Sequence, residues 1–182
     1  VEARGAFNTP TWGTMGEGLG EVSARFSGFY RERDGFFDND GPSSDDFDNK
    51  DQYGLRFDLR LAATERLTID YAYDKFDADQ NPTMLAITNS DNFPIASLKP
   101  VVDAATDPNR PDSISNDSAF NSDVEIDGHN LTIAYDIPDT AFDDLTLKSI
   151  TGYRDLYTLS ESDFDGTSVD MFRFIIENNF DQ

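Results

Sequence analysis

The chain of 182 residues has no cysteine. Disulfides and thiolate metal sites are excluded, while the compartment stays open. There is one histidine, His129, so a histidine metal centre or a Ser-His-Asp arrangement would rest on that single side chain. Basic residues are scarce: 14 Lys and Arg stand against 36 Asp and Glu, a formal net charge of -22. Such a surface repels nucleic acid and anionic lipid, which argues against either as a direct partner. No run of 18 apolar residues exists, so no transmembrane helix is expected. The opening stretch Val1-Glu2-Ala3-Arg4-Gly5-Ala6-Phe7 already alternates and does not read as a signal peptide. The close at Asn179-Phe180-Asp181-Gln182 falls inside another strand pattern, so the chain reads as a piece of a longer protein.

Aromatic residues are plentiful, with 15 Phe and 7 Tyr, and this excludes an acidic disordered chain. The dominant pattern is a period of two. In 52–61, Tyr53, Leu55, Phe57, Leu59 and Leu61 share one face, and Gln52, Gly54, Arg56, Asp58 and Arg60 share the other. In 21–33, Val22, Ala24, Phe26, Gly28 and Tyr30 oppose Ser23, Arg25, Ser27, Phe29 and Arg31. Leu67, Ile69, Tyr71 and Tyr73 oppose Thr68, Asp70, Ala72 and Asp74, and 128–137 repeats the pattern. Eight strands are predicted, at 1–8, 11–18, 21–33, 51–62, 67–77, 128–137, 145–160 and 169–182. About ten residues is the length a tilted strand needs to cross a bilayer.

Short links at 63–66 and 138–144 alternate with long ones at 34–50 and 78–127. Outer-membrane barrels sort short periplasmic turns and long extracellular loops in this way. The fold expected is all-β: an antiparallel up-and-down transmembrane barrel segment of about eight strands spanning 1–182, open because the barrel is incomplete. Tyr and Phe near strand ends form interfacial girdles or simply favour strands; Trp12 is read as an interface anchor.

Further stretches carry a family resemblance. These are Ala24-Arg25-Phe26-Ser27-Gly28-Phe29-Tyr30-Arg31-Glu32-Arg33-Asp34-Gly35, the hairpin from Asp58-Leu59-Arg60-Leu61 to Asp70-Tyr71-Ala72-Tyr73-Asp74, and Ser149-Ile150-Thr151-Gly152-Tyr153-Arg154 trailing into Asp163-Phe164-Asp165-Gly166. In order and spacing they resemble the early barrel of TonB-dependent outer-membrane receptors. The resemblance implies active uptake of a scarce ligand, such as a ferric siderophore, across a Gram-negative outer membrane. It implies outer-membrane lipid, a plug domain, the remainder of the barrel and TonB as partners. The plug, the TonB box and the final strand are not in this chain.

The acidic loops are the candidate ligand site: Asp38, Asp40, Asp45, Asp46 and Asp48 face Lys50 alone, and 78–127 holds nine carboxylates against Lys99 and Arg110. A hard cation, a cationic ligand or a solvated mobile loop all fit, and whether a metal binds stays open. Asp38-Asn39-Asp40-Gly41 and Asp163-Phe164-Asp165-Gly166 start like calcium loops but lack the Glu an EF-hand requires. Lumen-facing charges are Arg25, Arg31, Arg56, Asp58, Arg60, Asp70, Asp74 and Asp136. If Leu61 faces Ile69, Arg60 meets Asp70 and Arg56 meets Asp74. His129 is read as a loop-edge residue. No carboxylate spacing marks an acid–base pair, so neither catalysis nor a cofactor is expected. The alternatives are an acidic soluble β-sandwich binding calcium or a glycan, and a small closed eight-stranded structural barrel.

Overall fold

The computed structural model describes residues 1–41, 46–109, 111–117, 120–140 and 143–182. The strands are β1 (Glu2–Asn8), β2 (Glu21–Arg33), β3 (Asp38–Asn39), β4 (Lys50–Thr64), β5 (Leu67–Gln80), β6 (Ser113–Ile114), β7 (Asn121–Thr140), β8 (Asp143–Asp163) and β9 (Arg173–Asp181). One short helix, α1 (Lys99–Ala105), interrupts the longest link. Seven strands form one sheet in the order β1-β2-β4-β5-β7-β8-β9, and all its pairs are antiparallel. The short parallel pair β3–β6 lies apart from it.

The predicted strand 11–18 is absent. Trp12 makes one bridge to Val22, and the chain then turns through Gly13, Gly16, Gly18 and Gly20, all at positive φ. Glycine enters that region without a Cβ penalty, so the apparent alternation here is a chain of turns. At Gly20 a Cβ would come 2.3 Å from the Ala62 carbonyl oxygen, so this link closes tightly under β4.

Both alternatives fail on topology. Among the described residues no second sheet covers the large one, which rules out the sandwich. Among the described residues strand β1 is bonded only to β2 and β9 only to β8, so the sheet does not close into a small barrel. The sheet is open.

The buried core lies elsewhere. Phe47, Ala78, Val102, Phe120, Asn116, Asp163 and Thr167 are buried; all but Ala78 and Asp163 lie in the links at one end of the sheet, and those two lie at the same end, on β5 and β8. Of the 34–50 and 78–127 segments, read from sequence as mobile loops or ion sites, the ends join the sheet and the described residues between them fold into a cap. Phe47 stacks on Phe120 with ring centroids 4.5 Å apart. Strand β3 pairs with β6, and the Asp48 amide donates to the Pro82 carbonyl. The links between β1 and β2, β4 and β5, and β7 and β8 lie at the opposite, turn end.

Candidate functional site: two faces and a cap

Residues paired across antiparallel strands point to the same side of a sheet, so the register defines whole rows. On one face, Val22, Leu61, Ile69 and Ile133 form a row, and Ala24, Leu59, Tyr71 and Leu131 form the next. Toward the cap follows an aromatic row of Phe7, Phe26, Phe57, Tyr73, His129 and Tyr153. Phe26 and Phe57 lie 4.8 Å apart, and Tyr73 and His129 4.9 Å apart, between ring centroids. His129 Nδ1 sits 2.8 Å from the Tyr71 hydroxyl. It is therefore not a loop-edge residue: β7 begins at Asn121, earlier than predicted, and carries His129 into the sheet. Trp12, paired with Val22, lies on this face near the turn end.

The large side chains of this face are exposed or half-buried: Phe26 is 51%, Leu55 54%, Leu131 38% and Leu147 65% exposed, and Phe57, Leu59, Leu61, Ile69 and Tyr71 are half-buried. β8 departs from the pattern, placing Ser149 and Thr151 on the apolar face and Ile150 on the polar one.

Beyond the aromatic row the faces exchange character. The formerly apolar face turns acidic, with Asp51, Asp77, Asp79, Asp123, Glu125, Asp127 and Asp155. The other face gains an apolar row across six strands: Arg4, Phe29, Gly54, Phe76, Ile126, Leu156 and Phe180, with Arg4 on β1 the charged exception at its end. The Phe29 ring covers Gly54 so closely that a Cβ there would lie 2.4 Å from it.

The second face carries the predicted charges. Leu61 does face Ile69, and the Arg60 guanidinium donates to both Asp70 oxygens at 2.7 and 2.9 Å. Arg56 faces Asp74 in register, yet the two do not pair. Arg56 donates instead to Asp58 two residues along its own strand, at 2.7 to 3.1 Å. Asp74 receives Arg154 at 2.8 Å, reaching across β7. The row Asp74, Gly128, Arg154 accounts for this: a Cβ at Gly128 would lie 2.9 Å from the Asp74 carboxylate, so glycine lets the carboxylate lie over β7 where a larger residue would make it shift. Arg31 meets Glu2 at 3.5 Å, and the Asp136 carboxylate accepts from the Thr146 hydroxyl at 2.6 Å. Arg25 has no ion pair among the described residues, because its register partner Asp58 is occupied by Arg56.

The acidic residues singled out in the first long link are separated rather than convergent. Asp38 lies in β3 and is exposed. Asp40 accepts from the Ser113 hydroxyl at 2.5 Å. Asp48, at φ 60, pairs with Arg33 at 3.1 Å, and the same guanidinium stacks on Phe36. The Asp46 backbone carbonyl accepts from Asn81 at 2.8 Å. Asp45 and Arg110 lie outside the described residues. Among the described residues no three acidic or histidine side chains are grouped as a metal site. In α1 the Lys99 ammonium and the Ser90 hydroxyl hold the Asp103 carboxyl below its usual range.

At the β8–β9 turn two aspartates lace the backbone. Asp163 Oδ1 accepts from the Asp165 and Gly166 amides at 2.8 and 3.3 Å. The Asp165 carboxylate accepts from Thr167, Met171 and Phe172. Burial, reinforced by the neighbouring Asp165 charge, pushes the Asp163 carboxyl up to about 6. Its Oδ2 is buried and has no hydrogen-bond partner among the described residues.

Sequence reasoning missed Arg154 as the partner of Asp74, the inner apolar row and the cap itself. Only the inner row had a local signal, in Phe29 and Phe76 on otherwise polar faces. Compared with protein-family models, curated proteins and solved structures, the chain matches none.

Proposed function

We propose that the chain is a section of barrel wall from a TonB-dependent outer-membrane receptor. In this reading it takes part in active uptake of a scarce small molecule, such as a ferric siderophore, into a Gram-negative cell. The observation that carries it is the exchange of polarity between the two faces along the strands. From the turn end to the aromatic row, one face is apolar and uncovered, as lipid contact requires, while the other carries paired charges suited to a wet lumen. Past that level Asp77, Asp79, Asp123, Glu125 and Asp127 make this face acidic on β5 and β7.

The boundary is slanted. On β2 and β4 apolar character persists to Tyr30 and Tyr53, whereas on β7 it ends one row after His129, at Asp127; on β8 Asp155 interrupts it before Tyr157 and Leu159. Strands tilted by roughly 35–45° to a bilayer normal present one register row at different depths, so a level membrane surface cuts the rows obliquely. The cap, with the long links, then faces the outside, and the turn end faces the periplasm. The plug, TonB and the rest of the barrel complete the transporter. The unpaired outer edges of β1 and β9 are the places where neighbouring barrel strands join.

The chain has no cysteine of its own, so within it each label is unique once any cysteine elsewhere in the complete receptor is replaced by serine. Cysteines placed in turn at residues 55–61 and 129–135 of the complete receptor, in vesicles, receive a nitroxide. Accessibility to oxygen and to a water-soluble nickel chelate should alternate with a period of two, the oxygen maxima falling on Leu55, Phe57, Leu59, Leu61, Leu131 and Ile133. Equal water access on both faces would defeat the membrane reading.

A further inference from the structure

The charged face of the sheet gathers arginines. Arg4, Arg25, Arg31, Arg56, Arg60 and Arg154 all lie on it by register, in a chain whose net charge is -22. At its apolar row this face holds an open trough of about 480 Å³, within the size range of small-molecule sites. Phe29, lying over Gly54, and Phe76 line it, with ring centroids 6.2 Å apart. Arg4, Arg31 and Arg56 line it too, against a single carboxylate, Asp74. Asp74 is taken by Arg154, and Arg56 by Asp58.

Arg4 and Arg31 are held differently. Both end on one atom, Glu2 Oε1, at 2.5 and 3.5 Å, so their two guanidinium nitrogens lie no further apart than those distances laid end to end. Among the described residues no other carboxylate meets either arginine, so two cations share one negative charge and a unit of positive charge is left over. Arg4 stands directly opposite Phe29 in register, which puts the arginine pair at the edge of the aromatic floor.

We infer that this trough receives an organic carboxylate with a flat apolar body. The carboxylate lies between Arg4 and Arg31, in the place that the Glu2 side chain occupies, and the body rests on Phe29 and Phe76. Glu2 demonstrates the fit, since the pair already converges on a carboxylate oxygen. A guanidinium matches carboxylate geometry and also stacks on aromatic faces, so both parts of such a ligand are met by the same pair. The inference rests on the barrel-wall reading, in which this face lines the lumen, and it narrows the imported ligand to molecules presenting a carboxylate.

The test is a fluorescence titration of the complete receptor in vesicles with 2-naphthoate and, separately, 2-naphthylmethylammonium, with empty vesicles as the blank. The naphthoate should bind, more weakly at high salt, and the ammonium should not. Arg4→Gln combined with Arg31→Gln should weaken the naphthoate by at least about tenfold. Glu2→Gln removes the internal competitor and should tighten it by about threefold or more, a gain that misfolding does not produce. Equal binding of both probes, unchanged affinity in the arginine variant, or no gain in Glu2→Gln would overturn the inference. The two proposals separate cleanly. Naphthoate binding with these variant responses, by a chain that does not insert into lipid, keeps this site and sinks the membrane reading. Insertion without naphthoate binding sinks this site alone.

Discussion

Asp74 has two arginines within its reach in register, and it takes the more distant strand's. Arg56 lies directly opposite but folds back onto Asp58, while Arg154 crosses the gap left by Gly128. The choice is steric as much as electrostatic, because any side chain at Gly128 would occupy the path of the carboxylate. The consequence is measurable by double-mutant cycles on unfolding in urea. Arg60 and Asp70, a two-pronged pair, should couple by about 0.5–1 kcal/mol, near the upper limit for exposed pairs. Arg56 and Asp74, opposed in the same ladder, should couple by less than about 0.3 kcal/mol. A coupling of similar size in both cycles would show that register alone governs pairing. Cross-hairpin register was legible from the alternation of 52–61 and 67–74, since the two-residue turn admits few offsets. The Arg154 partnership was not, because the forty-odd residues around α1 separate its strand pair from β5, and no local pattern fixes register across such a link.

At the scale of elements, strand existence was legible and strand length was not. β5, β7 and β8 run well past their predicted cap-side ends, because the outward face there is acidic and reads locally as loop. Polarity alternation had not ceased; it had changed sides. The false strand at 11–18 shows the converse, since three glycines at positive φ, Gly13, Gly16 and Gly18, imitate alternation. The β8–β9 turn gives an element-level prediction. Asp163 is 5% exposed and its carboxyl is pushed up to about 6, above the ordinary value of about 3.9 for an unfolded aspartate. A raised folded-state value means the ionised form is the disfavoured one. The closed turn is therefore most stable below about pH 4, loses stability as pH rises from about 4 through 6, and levels off above that, a span of roughly 2–3 kcal/mol. Amide exchange at Gly166 and Thr167, corrected for its intrinsic pH dependence, should quicken across that window. In Asp163→Asn, which keeps an oxygen for the two amides, the pH dependence should vanish. If it persists in the variant, Asp163 is not the titrating group.

The whole molecule has an inverted distribution of burial: the sheet is bare on both sides, and the closed packing sits in the cap. A sheet isolated in water would be expected to cover an apolar face, and this one leaves Phe7, Phe26, Leu55 and Leu147 uncovered. In the proposed barrel-wall reading the conflict is resolved, because a bilayer would supply the missing layer and the charged face would line the lumen. The cap has its own core, with Phe47 stacked on Phe120 and Val102 buried on α1. Two substitutions one residue apart on β7 test this partition. Leu131→Arg places a cation in the middle of the apolar band and should destabilise the folded receptor in vesicles by about 2–4 kcal/mol. Thr132→Arg points to the opposite face, directly across from Asp70, and should be within about 0.5 kcal/mol of the parent. In a detergent-free aqueous refold the Leu131→Arg penalty should shrink or reverse, since the arginine then meets water. Equal penalties at the two positions in vesicles would mean that the faces do not divide lipid from lumen, and the barrel-wall reading would fall with them.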